Sequence, residues 1–179
     1  MMRGTVSLAS EEGRGTTVTV RVRLALQSGP PAGHARAAGT AAPSAGEALA
    51  DPASVRVLIV EDIDANRLVA EGFAKRIGVR YEAARNGQEA VDRILRGETY
   101  NVVLMDCEMP VMDGLAATRA IREHEAQAGA RRTPIVALTA DAYPEHRLRC
   151  REAGMDDFVP KPLRFKEVHE KLVQWGGAH

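Results

Sequence analysis

A chain of 179 residues suits one ordinary domain with additional segments. Its 24 basic and 24 acidic residues cancel, so it has no basic footprint for gripping nucleic acid or an anionic membrane. Apolar runs such as Val57–Val60 and Val102–Met105 stop after four residues, far short of the ~20 needed to span a bilayer, and the N-terminus lacks the apolar core of a signal peptide.

Residues 1–24, "MMRGTVSLASEEGRGTTVTVRVRL", hold a short Val/Ser stretch, a Gly-rich turn at "EEGRGT" and an alternating run from Thr16 to Leu24. The pattern predicts two strands joined by a turn, and two strands alone are marginal in water. The Gly13/Gly15 turn is no Walker loop, because no Gly-Lys-Ser/Thr follows. Residues 25–54 are rich in Ala, Gly, Pro and Ser without apolar periodicity and read as a flexible linker.

From Val55 the pattern alternates between strand and helix. Strands are expected in "VRVLIV" (55–60), "VRYEAA" (79–84), "NVVLMD" (101–106), "PIVALTA" (134–140) and "DDFV" (156–159). The first, third and fourth are nearly continuous apolar runs, as befits strands buried on both faces. Between them Leu68, Val69, Phe73 and Ile77, then Ala90, Ile94 and Leu95, and later Phe165, Val168 and Leu172 recur at helical spacing. Asp64 is placed to cap the first helix and Gly78 to end it. Five strands alternating with five helices predict a doubly wound parallel sheet with helices on both faces.

Ligands of such sheets bind beyond the carboxyl ends of the strands. The first strand ends in Glu61-Asp62, the third in Asp106, the fourth in Thr139-Ala140, and Lys161-Pro162 follows the fifth. Two carboxylates about 4 Å apart repel by roughly 4 kcal/mol at an effective dielectric near 20, so three together invite a cation. Oxygen ligands on loops suit magnesium, which would let Asp106 act as nucleophile toward a phosphoryl group. Lys161 would then hold one phosphoryl oxygen and the Thr139 hydroxyl would donate to another.

Several residues have plainer readings. Asp113 reads as a turn and cap residue ahead of "GLAATRAIRE". Cys107 should point away from the nucleophile and serve packing. Cys107 and Cys150 form no Cys-x-x-Cys pair and no metal-ligand spacing, so both read as reduced thiols of a cytoplasmic protein. His124, His146 and His169 show no partner spacing and read as surface residues.

The segments "VEDIDANR", "LMDCEMPVMDG", "ALTA" and "FVPKPL", in this order and each at a strand end, give residues 55–179 a resemblance to the receiver domain of two-component response regulators. The resemblance implies the flavodoxin-like strand order 2-1-3-4-5. It implies Asp106 as phosphoacceptor, with Asp62, Asp106 and the main-chain carbonyl of Glu108 binding Mg2+ and Glu61 acting through water. Main-chain amides at Glu108 and Ala140 would meet the phosphoryl oxygens, Thr139 and Phe158 would form the switch pair, and the Lys161-Pro162 bond would be cis. Phe158 as ordinary core is the competing reading. Glu61 stands where Asp is more frequent, and Pro160 fits only if the fifth strand lies at the edge.

The same resemblance implies a histidine kinase or a histidine phosphotransfer protein as partner and self-phosphorylation and autodephosphorylation rather than conventional catalysis. It leaves open whether the face of fourth helix, fifth strand and fifth helix dimerises. The alternatives are a binding-only pseudo-receiver, which would lack one of the acid, Thr or Lys positions, and an aspartyl-nucleophile phosphohydrolase, which would have an Asp-x-Asp pair where this chain has Asp106-Cys107-Glu108. Finally, "GTVSLASEEGRGTTVTVRVRL" resembles the last strands of a histidine-kinase ATP-binding domain. Together the two resemblances imply the C-terminal part of a hybrid histidine kinase, with no kinase activity expected from this chain alone.

Overall fold

The computed structural model describes residues 4–11, 15–22, 49, 51–140 and 143–177. The chain divides into two units, Met1–Ala42 and Pro43–His179. In the first, β1 (Gly4–Glu11) pairs antiparallel with β2 (Gly15–Val22), Gly4 opposite Val22 and Glu11 opposite Gly15. Residues 12–14 of the Gly-rich turn lie outside the described residues, as do 25–48 and 50 of the expected linker.

The second unit runs β3 (Arg56–Val60), α1 (Asp64–Ile77), β4 (Arg80–Ala84), α2 (Gly87–Leu95), β5 (Val102–Asp106), α3 (Gly114–Ala128), β6 (Ile135–Thr139), α4 (Pro144–Ala153), β7 (Asp157–Pro160) and α5 (Phe165–Gly176). The sheet order is β4-β3-β5-β6-β7, all parallel, which is 2-1-3-4-5 counted from β3. Strands β5 and β6 are buried along their whole length, which is why their sequences do not alternate. β7 is an edge strand, so Pro160 removes no ladder bond from a second neighbour, and Lys161 N donates the next bond to Thr139 O at 2.7 Å.

Alternate strand residues feed two cores. Leu58, Val60, Val103, Met105, Ile135 and Ala137 pack with residues of α2, α3 and α4. Val57, Ile59, Val102, Leu104, Val136 and Leu138 pack with α1 and α5. Each such fully buried aliphatic side chain contributes about 1.5–3 kcal/mol of transfer free energy.

The first helix departs from its expected orientation. Leu68 and Val69, part of the apolar spacing that marks this helix, are 64% and 44% exposed, while Ala70 and Ala74 face the sheet. Small residues let this helix lie close against the strands, with Phe73 and Ile77 packed beside them and Leu68 and Val69 turned outward. Leu95 is likewise half exposed at the end of α2. Asp64 is the first helical residue rather than the cap; Ile63 occupies the cap position without a side-chain bond, and Asp64 pairs with Arg67 instead. Gly78 ends α1 as expected, at φ +93°, where a Cβ would be strained.

The folded unit also begins before Val55. Leu49 is buried against Val55 and Gly176, and Asp51 caps a short 3-10 turn over Pro52–Ser54, its carboxylate accepting from Ala53 N at 3.1 Å. These residues had been expected to belong to the linker. None of the described helices is long and apolar enough to cross a membrane.

Candidate functional site

Asp106 closes β5 and is only 4% exposed. The loop after it folds back on the strand end: Cys107 N donates to Leu138 O at 3.1 Å, and Gly114 N donates to Cys107 O at 3.2 Å. Gly114 is required by this close approach, because a Cβ there would stand 2.0 Å from the Asp106 carbonyl oxygen. Asp113 caps α3 by accepting from Ala116 N at 2.7 Å. Within the loop, Val111 is held at φ +70° with its side chain 85% exposed, an unfavourable conformation for a β-branched residue. Glu108 N donates to Asp106 Oδ1 at 3.3 Å, so the residue that follows by two already supports one carboxylate oxygen.

Glu61 and Asp62 arrive from the end of β3. Glu61 is fully buried, its amide donating to Ala84 O and its Oε1 accepting from Asn66 Nδ2 at 2.9 Å. Oε2 approaches the Lys161 ammonium at 2.7 Å as an ion pair, yet it accepts no aligned hydrogen bond. Asp62 is half-buried, and one oxygen from each of Glu61, Asp62 and Asp106 lies within 4.8 Å of the others. A fully buried carboxylate oxygen without a hydrogen bond, in a set of three hard oxygen donors, fits a divalent cation such as magnesium.

Lys161 follows β7 across from these acids, with Nζ 2.7 Å from Asp106 Oδ2. Burial pushes the Asp106 carboxyl above the usual range; the Lys161 hydrogen bond opposes this, and the Glu61 charge adds to it. Burial pulls the Lys161 ammonium down, but the hydrogen bond to Asp106 and the charge of Glu61 outweigh it, and the ammonium titrates above its ordinary value. One cation thus serves two carboxylates.

Thr139 is buried at the end of β6 and Ala140 stands exposed beside it. Phe158, on β7, is half-buried against the α2–α4 core, and the Arg147 guanidinium of α4 lies 4.0 Å over its ring. The Lys161-Pro162 bond is cis. The structure therefore gathers Glu61, Asp62 and Asp106 within reach of one another, with Lys161 paired to Glu61 and Asp106 and Glu108 bonded to the site. His124, His146 and His169 are half-buried rather than exposed, and His169 stacks on Phe165.

Two participants and one contact were missed in the sequence. Asn66 holds Glu61, and the Asn side chain in "VEDIDANR" was its only signal. Arg147 covers Phe158 from a helix whose periodicity carries no such information. Glu61 reaches Lys161 directly, with Oε2 2.7 Å from the ammonium.

The response regulator receiver domain family matches residues 57–173. The chain belongs to that family. Among curated relatives, it is 38% identical over 122 residues to hybrid signal transduction histidine kinase A of Dictyostelium discoideum, a match covering 68% of this chain and 6% of that protein. The receiver and its preceding residues are 35% identical over 179 residues to the virulence sensor protein BvgS of Bordetella bronchiseptica, covering 96% of this chain and 14% of that one. The chain thus spans only a small part of the curated relatives it matches.

Solved structures agree on the fold. The receiver resembles the complex of the Saccharomyces cerevisiae phosphotransfer protein Ypd1 with the Ssk1 receiver domain, at 32% identity and a TM-score of 0.65, covering 68% of this chain and 88% of that one. It also resembles the receiver domain of sensor histidine kinase PA1611 from Pseudomonas aeruginosa, solved with magnesium in its active-site cleft, at 40% identity and a TM-score of 0.61, covering 69% and 98%.

Proposed function

We propose that this receiver is the phosphoacceptor of a phosphorelay, taking a phosphoryl group from a phosphohistidine onto Asp106. The observation that carries the reading is the position of Lys161 Nζ, 2.7 Å from Asp106 Oδ2, beside three carboxylates with oxygens within 4.8 Å of one another. Asp62, Asp106, the Glu108 carbonyl and Glu61 would hold magnesium, which when bound supplies positive charge to the phosphoryl oxygens and lets them approach an anionic site.

An Asp106 carboxylate oxygen attacks phosphorus. The phosphorus–oxygen bond forms as the phosphorus–nitrogen bond of the donor breaks, and the ring nitrogen keeps the electron pair. Lys161, already above its ordinary ammonium range, stays protonated and holds one phosphoryl oxygen. The amides of Glu108 and Ala140 and the Thr139 hydroxyl are the remaining donors, and movement of Thr139 toward the phosphoryl group would draw Phe158 inward.

Ile63, Leu68 and Val69 are exposed on the segment that directly follows Asp62. Apolar surface beside the site favours a protein donor, a histidine kinase or a histidine phosphotransfer protein, over a small molecule. The β1–β2 pairing and an alignment with BvgS over 96% of the chain support reading residues 1–24 as the end of a kinase ATP-binding domain and the receiver as part of a cytoplasmic hybrid kinase.

Acetyl phosphate with magnesium tests the central assignment. The full chain should gain one hydroxylamine-labile phosphoryl group, lost in Asp106→Asn. Retained labelling in that variant would sink it. The kinase-remnant reading expects that the full chain, given ATP and magnesium, transfers no label to itself.

A further inference from the structure

Cys107 and Cys150 are separated by 43 positions in the chain, yet their sulfurs lie 3.7 Å apart. Both are free thiols. Cys107 is the residue after the phosphoacceptor, and Cys150 lies on the inner face of α4. The sulfurs share a cavity of about 120 Å³ lined also by Glu108, His146 and Arg149. Small oxidants therefore have a route to them, past a guanidinium that favours a thiolate. Closing a bond of ordinary length requires the sulfurs to approach by roughly 1.6 Å, within the reach of side-chain rotation. A soft-metal site is the competing use of two thiols near a histidine. Among the described residues, however, only Glu61, Asp62 and Asp106 bring three ligand atoms within metal-binding reach.

We propose that Cys107 and Cys150 are a redox modification site, forming a reversible intramolecular disulfide when the receiver meets a hydroperoxide. The Cys150 sulfur attacks one peroxide oxygen; the oxygen–oxygen bond breaks, and the departing oxygen takes the thiol proton and leaves as water or, from an alkyl peroxide, as alcohol. The Cys107 sulfur then attacks the resulting sulfenic acid; its sulfur–oxygen bond breaks and water departs with the Cys107 proton. With hydrogen peroxide, two thiols and one peroxide give one disulfide and two waters. The sulfurs lose the two electrons that the peroxide oxygens gain.

The bridge joins the loop after Asp106 to α4. That helix is lightly anchored: only Cys150 and Ala153 of its residues are buried. It also carries Arg147, which covers Phe158. A covalent tie at Cys150 fixes the element over the switch ring to the element that bears the phosphoacceptor. The disulfide itself is independent of the Asp106 assignment; its effect on signalling rests on that assignment.

The test treats the reduced full chain with micromolar hydrogen peroxide and maps its cysteines by mass spectrometry. The expected result is loss of both free thiols, a mass lower by two hydrogens, a cross-linked peptide pair containing Cys107 and Cys150, and full recovery with dithiothreitol. Amide exchange in α4 should slow in the oxidised protein. Cys150→Ser and Cys107→Ser should each gain oxygen on the remaining thiol or stay unmodified, and neither should lose hydrogens. Stable sulfenic or sulfinic acid in the native chain, only intermolecular dimers, stoichiometric zinc bound by the thiols, or no reaction would each overturn the proposal. Acetyl phosphate labelling of the reduced chain, run in parallel, reports on Asp106 alone and separates failure of one reading from failure of the other.

Discussion

Gly114 and Asp106 meet through their backbones: a single methyl group at Gly114 would stand 2.0 Å from the Asp106 carbonyl oxygen. The obstacle is main chain at the end of a buried strand, which has no flexible side chain to swing aside. Gly114→Ala should therefore cost about 2–3 kcal/mol of stability. It should also slow acetyl phosphate labelling, because Asp106 must shift. Urea melts and labelling rates measured on the same sample check both effects. Native stability with a native rate would show that the loop yields freely.

Val111 carries strain without visible compensation. Its φ of +70° costs an ordinary L-residue roughly 1–2 kcal/mol, and its 85% exposure means that the side chain contributes little packing. Asparagine tolerates this conformation better. Val111→Asn should raise stability by about 1 kcal/mol, read as a higher urea midpoint at unchanged slope. An unchanged or lower midpoint would mean that the valine makes a contribution which its exposure hides.

The charges at the strand ends predict opposite signs for two substitutions. Asp62→Asn removes one of three neighbouring anions and should raise metal-free stability by about 1 kcal/mol while weakening magnesium binding. Lys161→Ala leaves buried Glu61 and Asp106 without their shared cation and should lower stability by about 3 kcal/mol. Magnesium should then stabilise the Lys161 variant more than wild type, and the Asp62 variant less. Thermal melts with and without millimolar magnesium decide this, and equal magnesium increments in all three proteins would count against a shared metal site.

Asp157 gives a pH dependence remote from the acidic cluster. Burial raises its carboxyl, but the Lys171 ammonium at 2.8 Å, the Trp175 indole N–H at 3.0 Å and the Phe158 amide together hold it below its usual value. A folded-state pKa below the unfolded one means a contribution fully present above the ordinary aspartate range, lost as pH falls through the depressed value. Asp157→Asn should lower stability at neutral pH and flatten the acid limb of the stability curve. Parallel acid limbs in variant and wild type would contradict this.

Much of this fold was readable because its signals are local. The unbroken apolar runs of β5 and β6 match strands covered on both faces, and the acids at the ends of β3 and β5 then had to share one edge of the sheet. The first helix misled for a physical reason: Ala70 and Ala74 share the core face with Phe73 and Ile77, while Leu68 and Val69 lie off it, and hydrophobicity alone favours the larger residues. Close packing against a twisted sheet chose Ala70 and Ala74, leaving Leu68 and Val69 outside. Contacts that join distant parts of the chain had no local signature. Glu61 and Lys161 are separated by 100 positions, and no spacing rule connects Cys107 with Cys150. The cap at Asn86, where Glu89 N donates to the Asn86 side chain and Glu89 accepts from Arg85 N, was local but passed unread beside stronger patterns.

Leu49 has a mechanical consequence. It is seated against Val55 and the last turn of α5, ahead of the first strand of the parallel sheet. A pull arriving along the chain from its N-terminal side therefore meets Leu49, packed with Val55 and α5, before it reaches β3, so this side chain is placed as a strain relief ahead of an interior strand.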